Sequence, residues 1–236
     1  MAESLPQPAA TEDRPRAGYK RSSETRARIL EAALAEACEV GFQKTSVARV
    51  AARAGVAVGV LNYHFGSKEA LIQEVFARRL GPLNDERLRL LDNVERDAGY
   101  APPPLEAILE AFISPPLRLR LGPDREGRDI CRLMGRIYFE PSELTMNILE
   151  QFDEVVQRFT STLARTLPNL SQPELMWRFF FMIGSMAMML VGADIIKEKT
   201  HGICDPSDLE ATLHRLVNFA SAGIRDPLPE PVERTL

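Results

Sequence analysis

Cysteine is scarce: Cys38, Cys131 and Cys204 are an odd number, widely spaced, with no CxxC pair. That excludes a disulfide scaffold and fits a reducing, cytoplasmic compartment. Long apolar runs are also missing. The longest uncharged one, residues 179–193, has 15 residues between Arg178 and Asp194. A membrane helix needs about 20, so this run reads as a buried helix of a soluble protein without a membrane partner. Residues 1–15 are polar, Pro-rich and acidic, and lack the apolar stretch of a signal peptide. The three histidines (His64, His201, His214) and the cysteines give one metal-like spacing, His201-x-x-Cys204. Two ligands are too few for a structural zinc site, and no metal or cofactor is expected. No Gly-rich phosphate loop or nucleophile elbow occurs, which argues against an enzyme. Positive charge is not in excess either: 29 Lys+Arg stand against 33 Asp+Glu, a net charge of −4.

What is present is helical periodicity. The 236 residues are 45% hydrophobic, enough for a real core. Ile29, Leu30, Ala33, Leu34, Ala37 and Val40 mark one face of a helix that Gly41 ends. An alanine-rich helix over 46–54 follows, broken by Gly55, then a short segment over 57–63. Ser67 caps a long helix with Glu69 in its first turn, and Pro82 is expected to bend or break it. Gly99 and Pro102–Pro104 form a linker. Further helices are expected over 105–113, 127–138, 142–166, 173–199 and 207–224. No period-2 strand pattern or internal repeat is visible, so the chain reads as all-α. The expected organisation is an arm over 1–20 without fixed structure and a helix-turn-helix domain over 21–68. A ligand-binding and dimerisation domain over 69–226 and a tail over 227–236 follow.

The segment from Ser46 to Tyr63 has helix-turn-helix spacing. Ala51 is small where two helices cross, and Gly55, four residues on, suits a turn that needs positive φ. Val47, Val50, Val56 and Leu61 are expected to fill the space between the helices. The second helix then exposes Ala57, Val58, Gly59, Asn62 and Tyr63, short residues with one amide and one phenol, suited to a major groove. Spacing alone also fits an ordinary helical hairpin with an alanine-rich interface. Charge distribution favours DNA: residues 14–68 carry +6, whereas 1–13 carry −3 and 69–236 carry −7.

The stretch Gly41-Phe42-x-x-Thr45-Ser46-Val47-x-x-Val50-Ala51-x-x-Ala54-Gly55-Val56, continued by Leu61-Asn62-Tyr63-His64-Phe65-Gly66-Ser67-Lys68-Glu69-Ala70-Leu71, resembles the DNA-binding domain of TetR-family transcriptional regulators. The resemblance covers residues 25–76. It implies a three-helix DNA domain, a larger helical ligand domain, and a homodimer on palindromic double-stranded operator DNA. It also implies release of the operator, as in a repressor, when a small ligand binds. Carried over residue by residue, it implies that Thr45 and Ser46 hold phosphate and that Arg49 and Gly59 join the DNA-contacting set. Tyr63 and His64 touch backbone and groove wall, and Lys68 meets a phosphate. Asn62 or Tyr63 reads a base edge, and Ala57 and Val58 touch thymine methyls. Arg14, Arg16, Lys20 and Arg21 either enter the minor groove or form a tail that only adds phosphate attraction.

The rest of the chain is less specific. Residues 177–190 are apolar around the whole helix circumference, which predicts burial on all sides. Phe112, Trp177, Phe181, Met182 and Met186 are candidate ligand-facing residues. Arg132 and Arg136, at i and i+4, either meet an anionic headgroup or form surface salt bridges. Gly184, Ala187 and Met188, with Leu209, Leu213, Leu216 and Ala220, are the candidate dimer interface. The segments Lys68–Gln73, Trp177-Arg178, Phe181–Gly184 and Ala222-Gly223 resemble a PsrA-like branch of the family, which implies a fatty-acid or acyl-CoA ligand. Aromatic or multidrug-type compounds are the alternative ligand class. A helical ligand-carrier or interaction protein without DNA binding is the alternative function.

Overall fold

A computed structural model describes residues 14–123, 125–137 and 142–227, and of 14–19, 125, 126, 136 and 137 the backbone alone. Among the described residues there are ten α-helices, one 3₁₀ turn and no strand, so the all-α class read from the sequence holds. The chain divides into two compact units between Leu71 and Ile72.

In the first unit, α1 (Arg14–Val40), α2 (Val47–Ala54) and α3 (Val58–Phe65) pack around a small core. Ile29, Ala33 and Ala37 of α1, Phe42, Val50 and Ala51, and Leu61 of α3 are buried in it. Val47 and Val56, expected to be as deep as Val50 and Leu61, are only half-buried. Helix α1 starts at Arg14, so residues 14–20, expected in the arm, are helical. Pro15 does not prevent this, because proline is tolerated in the first turn, where its missing N–H has no helical partner anyway. Residues 1–13 of the expected arm and 228–236 of the expected tail lie outside the described residues. Gly55 adopts φ 64° and closes α2 in the left-handed conformation, with Val56 N–H donating to the Ala51 carbonyl at 3.0 Å. Without Cβ, glycine takes this conformation at little steric cost.

Helix α4 (Lys68–Ala98) begins in the first unit and runs through Pro82, which neither ends nor splits it. Buried Leu80 before the proline and Leu83 and Leu91 after it anchor both halves. The second unit adds α5 (Leu105–Leu121), α6 (Arg125–Ile137), α7 (Glu143–Leu149), the 3₁₀ turn (Glu150–Phe152), α8 (Asp153–Thr166), α9 (Gln172–Lys199) and α10 (Leu209–Arg225). Helix α5 is central and packs against α6, α8, α9 and α10. Its Phe112 meets Phe159 and Phe179 edge-on, each at 5.1 Å.

Several boundaries differ from the sequence reading, two of them at tertiary contacts and one at a local cap. Helix α5 runs past residue 113 and includes Pro115 and Pro116, both buried. The stretch 142–166 is not one helix. It breaks at the 3₁₀ turn, where the Gln151 carbonyl accepts from Asn84 Nδ2 at 3.1 Å. Helix α10 starts after Asp208, whose carboxylate accepts from Ala211 N–H at 3.0 Å. Gly135 of α6 lies against Val191 of α9 with no room for a Cβ, so these helices pack closely.

Helix α9 corrects a stronger expectation. Its Leu175, Phe179, Met182, Met186 and Leu190 are buried, but Trp177, Phe180, Phe181, Met188 and Ile195 are exposed. Apolar character all round therefore produces two different faces, one spent on the core of this chain and one left open. Among the described residues α9 is the one helix long and apolar enough to cross a membrane by length and composition.

Candidate nucleic-acid interface and effector domain

The small core of the first unit holds α3 from below through Leu61 and Phe65. Arg26 of α1 lies over the Phe65 ring at 4.9 Å. The opposite face of α3 presents Ala57, Val58, Gly59, Asn62 and Tyr63, with Tyr63 85% exposed. His64 is half-buried and meets the Tyr63 ring edge-on at 5.5 Å. This face is nearly uncharged, so the positive charge near it comes from flanking segments.

Those flanks are more committed than the sequence suggests. Thr45 is buried, and its hydroxyl donates to the Gly41 carbonyl at 3.0 Å. That corrects its expected role as a phosphate ligand: the hydroxyl closes the α1–α2 turn instead. Ser46 is half-exposed at the start of α2 with an extended backbone, and its side chain makes no capping bond there. Arg49 pairs with Glu36 at 2.6 Å, and Arg53 pairs with Glu39 at 2.6 Å, so both arginines stitch α2 to α1. The Arg49 side chain remains 56% exposed and keeps access to a phosphate. Lys68 donates to the Gln43 carbonyl.

The residues expected to face a ligand do not converge on one site. Phe112, Met182 and Met186 are buried in the core of the second unit. Trp177 and Phe181 are exposed and stack on each other at 5.8 Å. Arg132 is a surface residue that grips Asp194 at 2.5 Å and approaches Asp129 at 3.7 Å, the salt-bridge alternative. The Arg136 side chain lies outside the described residues. Two apolar grooves flank α10. One of 240 Å³ is lined by Phe181, Met182, Phe219 and Ile224, and one of 490 Å³ by Met189, Ile196, Ile203, Leu216 and Phe219.

The expected dimer residues also split. Gly184 and Met188 are exposed on the α9 face that carries Trp177 and Phe181, and Leu209 is half-buried. Ala187, Leu213, Leu216 and Ala220 are buried within the chain. The reason is helical phase: Leu213, Leu216, Val217, Ala220 and Ile224 form the single apolar face of α10, and that face is used internally. Phe180, Phe181 and Phe219 hold the exposed positions instead.

Sequence reasoning missed three buried arginines. Arg178 donates from Nε to Glu174 at 2.7 Å and from a terminal nitrogen to the Ile224 and Asp226 carbonyls at 2.8 and 2.6 Å. A guanidinium there satisfies the end of α10, where helix carbonyls lack partners. Arg120 donates to the Leu190 carbonyl and to Asp194, each at 2.8 Å. Arg87 donates to the Phe112 carbonyl at 2.9 Å. The available signal was an arginine at the edge of an apolar run, as Arg178 is. The Arg132 and Arg120 guanidinium groups hold the Asp194 carboxyl below its ordinary range. Burial pushes the Cys131 thiol up to about 12, which makes it unreactive at neutral pH.

Residues 29–75 match the family model of the bacterial regulatory proteins of the tetR family, and residues 110–223 match the tetracyclin repressor-like C-terminal domain. The HTH-type transcriptional repressor KstR of Rhodococcus jostii is 30% identical over 146 residues, 56% of this chain and 69% of KstR. The chain belongs to the TetR family. The HTH-type transcriptional regulator BetI 1 of Chromohalobacter salexigens is 33% identical over 60 residues, 25% of this chain. The match spans 30% of BetI 1, under a third of its length. Among solved structures, the transcriptional regulator FadR from Bacillus subtilis, in complex with stearoyl-CoA, superimposes with a TM-score of 0.60. It is 18% identical, covering 84% of this chain and 98% of FadR. A regulator from Pseudomonas aeruginosa superimposes with a TM-score of 0.59 at 18% identity, covering 91% of each chain.

Proposed function

We propose that this TetR-family chain is a DNA-binding transcriptional repressor of the cytoplasm. It acts as a homodimer on a palindromic double-stranded operator and is released by a small hydrophobic ligand of the fatty-acid or acyl-CoA class. The observation that carries the reading is the exposed, uncharged face of α3 set in a strongly basic segment of an acidic chain. Asn62 and Tyr63 read base edges, and Ala57, Val58 and Gly59 approach thymine methyls and the groove wall. Ser46, Arg49, His64 and Lys68, together with Lys20 and Arg21, supply backbone contacts. With few bidentate donors on α3, recognition leans on apolar contacts and DNA shape.

The second unit takes the ligand and the second copy. Its interior, with Phe112, Met182 and Met186, suits an acyl chain, and the fold shared with the stearoyl-CoA-bound FadR supports that class. The dimer forms on the exposed stripe Trp177, Phe180, Phe181, Gly184 and Met188 with Phe219 of α10, an apolar patch that monomers seldom leave open. In a dimer the two α3 helices must sit about 34–36 Å apart to enter successive major grooves. A ligand that favours another spacing lowers operator affinity by its differential affinity for the two states.

The test starts from a duplex that the full-length protein enriches from a random library. Binding is followed by fluorescence anisotropy over a salt series, then with stearoyl-CoA added. Steep weakening with salt and release by stearoyl-CoA are expected. No enriched duplex at low salt overturns the DNA reading. Enrichment without release by any acyl-CoA or free fatty acid overturns the ligand class alone.

A further inference from the structure

Helix α4 leaves the first unit at Leu71 and then crosses the second as a continuous helix to Ala98. Apolar packing fixes its depth but resists sliding along its axis only weakly. Hydrogen bonds to fixed backbone acceptors do resist sliding, and α4 makes two of them from adjacent turns. Both acceptors lie where a neighbouring helix departs from regular geometry.

The first acceptor is the Phe112 carbonyl of α5. In a regular helix it takes the N–H four residues on, but that residue is Pro116, which has none. Arg87, 1% exposed, donates to this carbonyl from Nε at 2.9 Å and spreads its guanidinium over the Phe112 ring at 4.1 Å. The second acceptor is the Gln151 carbonyl at the 3₁₀ turn, taken by Asn84 Nδ2 at 3.1 Å. Arg87 and Asn84 are joined by a bond of 3.3 Å, and Arg87 also reaches the Met186 sulfur at 3.7 Å. One guanidinium thus connects α4, the proline-opened turn of α5 and the α9 side chain Met186.

We propose that Arg87 is a positioning residue that sets the register of α4 through the carbonyl Pro116 leaves open. Its effect on specific DNA binding rests on the reading of the chain as a DNA-binding protein; the register claim itself does not. A buried polar contact of this kind has two discrete arrangements, made or broken.

The experiment compares full-length wild type, Arg87→Met, Pro116→Ala and the double variant. Thermal midpoint and affinity for the duplex enriched by wild type, beside affinity for random DNA, are measured for each. Arg87→Met is expected to lower the midpoint and weaken specific binding about tenfold, with nonspecific DNA binding unchanged. In the Pro116→Ala background the new N–H takes the Phe112 carbonyl, so adding Arg87→Met does much less. Arg87→Lys, which keeps a donor, retains part of the function. Equal effects of Arg87→Met in both backgrounds overturn the proposal and leave Arg87 as packing over Phe112. If Arg87→Met does not fold, Pro116→Ala alone decides. It is expected to weaken specific binding, whereas Pro82→Ala on the exposed side of α4 does not, and equal behaviour of these two overturns the proposal. If no duplex is enriched, the reading of function fails, while the midpoint cycle still decides the register claim.

Discussion

The ammonium of Lys68 donates to the carbonyl oxygen of Gln43 at 2.5 Å, tying the first turn of α4 to the turn between α1 and α2. The bond is exposed and uses one of three N–H donors, which leaves two for a phosphate. Lys68→Ala should weaken binding to all duplexes alike and reduce the slope of log affinity against log salt by about 1. Anisotropy with enriched and random DNA over a salt series measures both. A change in sequence preference would contradict this assignment.

Thr45 gives the opposite expectation. Its hydroxyl is buried and bonded to the Gly41 carbonyl, so Thr45→Val should cost about 1–2 kcal/mol of stability by leaving that carbonyl without its donor. Affinity for random DNA at low salt should stay the same in the folded variant. Denaturant melts and a nonspecific binding isotherm separate the two effects. Lost DNA affinity with unchanged stability would return Thr45 to the phosphate contacts.

Much of the fold was legible because local signals and tertiary demands agree. The apolar phase of α1, Gly55 as the turn residue and Ser67 before α4 each state a local preference that the packed chain also needs. The misreadings fall where tertiary structure overrides a local rule. The helix expected over 105–113 runs on through Pro115 and Pro116, where burial of α5 and the Arg87 donor keep it going. Pro82, expected to bend or break α4, does not break it, because buried leucines on both sides hold the helix together. Within the candidate interface, exposure on α3 followed from helical phase. The internal use of Thr45, Arg49 and Arg53 did not, because their acceptors on α1 and at its end are known only once α1 and α2 pack.

Phase also governs the proposed dimer. Phe181 is 64% exposed on α9, while Leu213 is buried against the chain's own core. Phe181→Glu should yield a folded monomer in sedimentation equilibrium, since a carboxylate in an apolar interface is desolvated without a partner. Leu213→Glu should instead unfold the second unit. A Phe181→Glu variant that stays dimeric at micromolar concentration would move the interface elsewhere.

Asp194 links stability to pH. Arg132 and then Arg120 hold its carboxyl below the ordinary value in the folded chain. A depressed folded pKa contributes stability that is fully present above the unfolded value, about 3.9, and is lost as pH falls through the folded value. Asp194→Asn should therefore lower the thermal midpoint at pH 7 and flatten its decline below about pH 4. Most of the cost, about 1–3 kcal/mol, comes from buried Arg120, left with the Leu190 carbonyl as its remaining strong acceptor. Parallel acid limbs for wild type and Asp194→Asn would contradict this assignment.

Under the proposed function the exposed face of α3 reads DNA, and Tyr63 is its most prominent side chain. The most direct measurement is the affinity of wild type and Tyr63→Ala for the duplex wild type enriches, set beside their affinity for random DNA at the same salt. Tyr63 packs into no core, so the variant should fold normally. A loss of about 1–3 kcal/mol confined to the enriched duplex is expected. Equal binding of the enriched duplex by both proteins would contradict DNA reading by this face of α3.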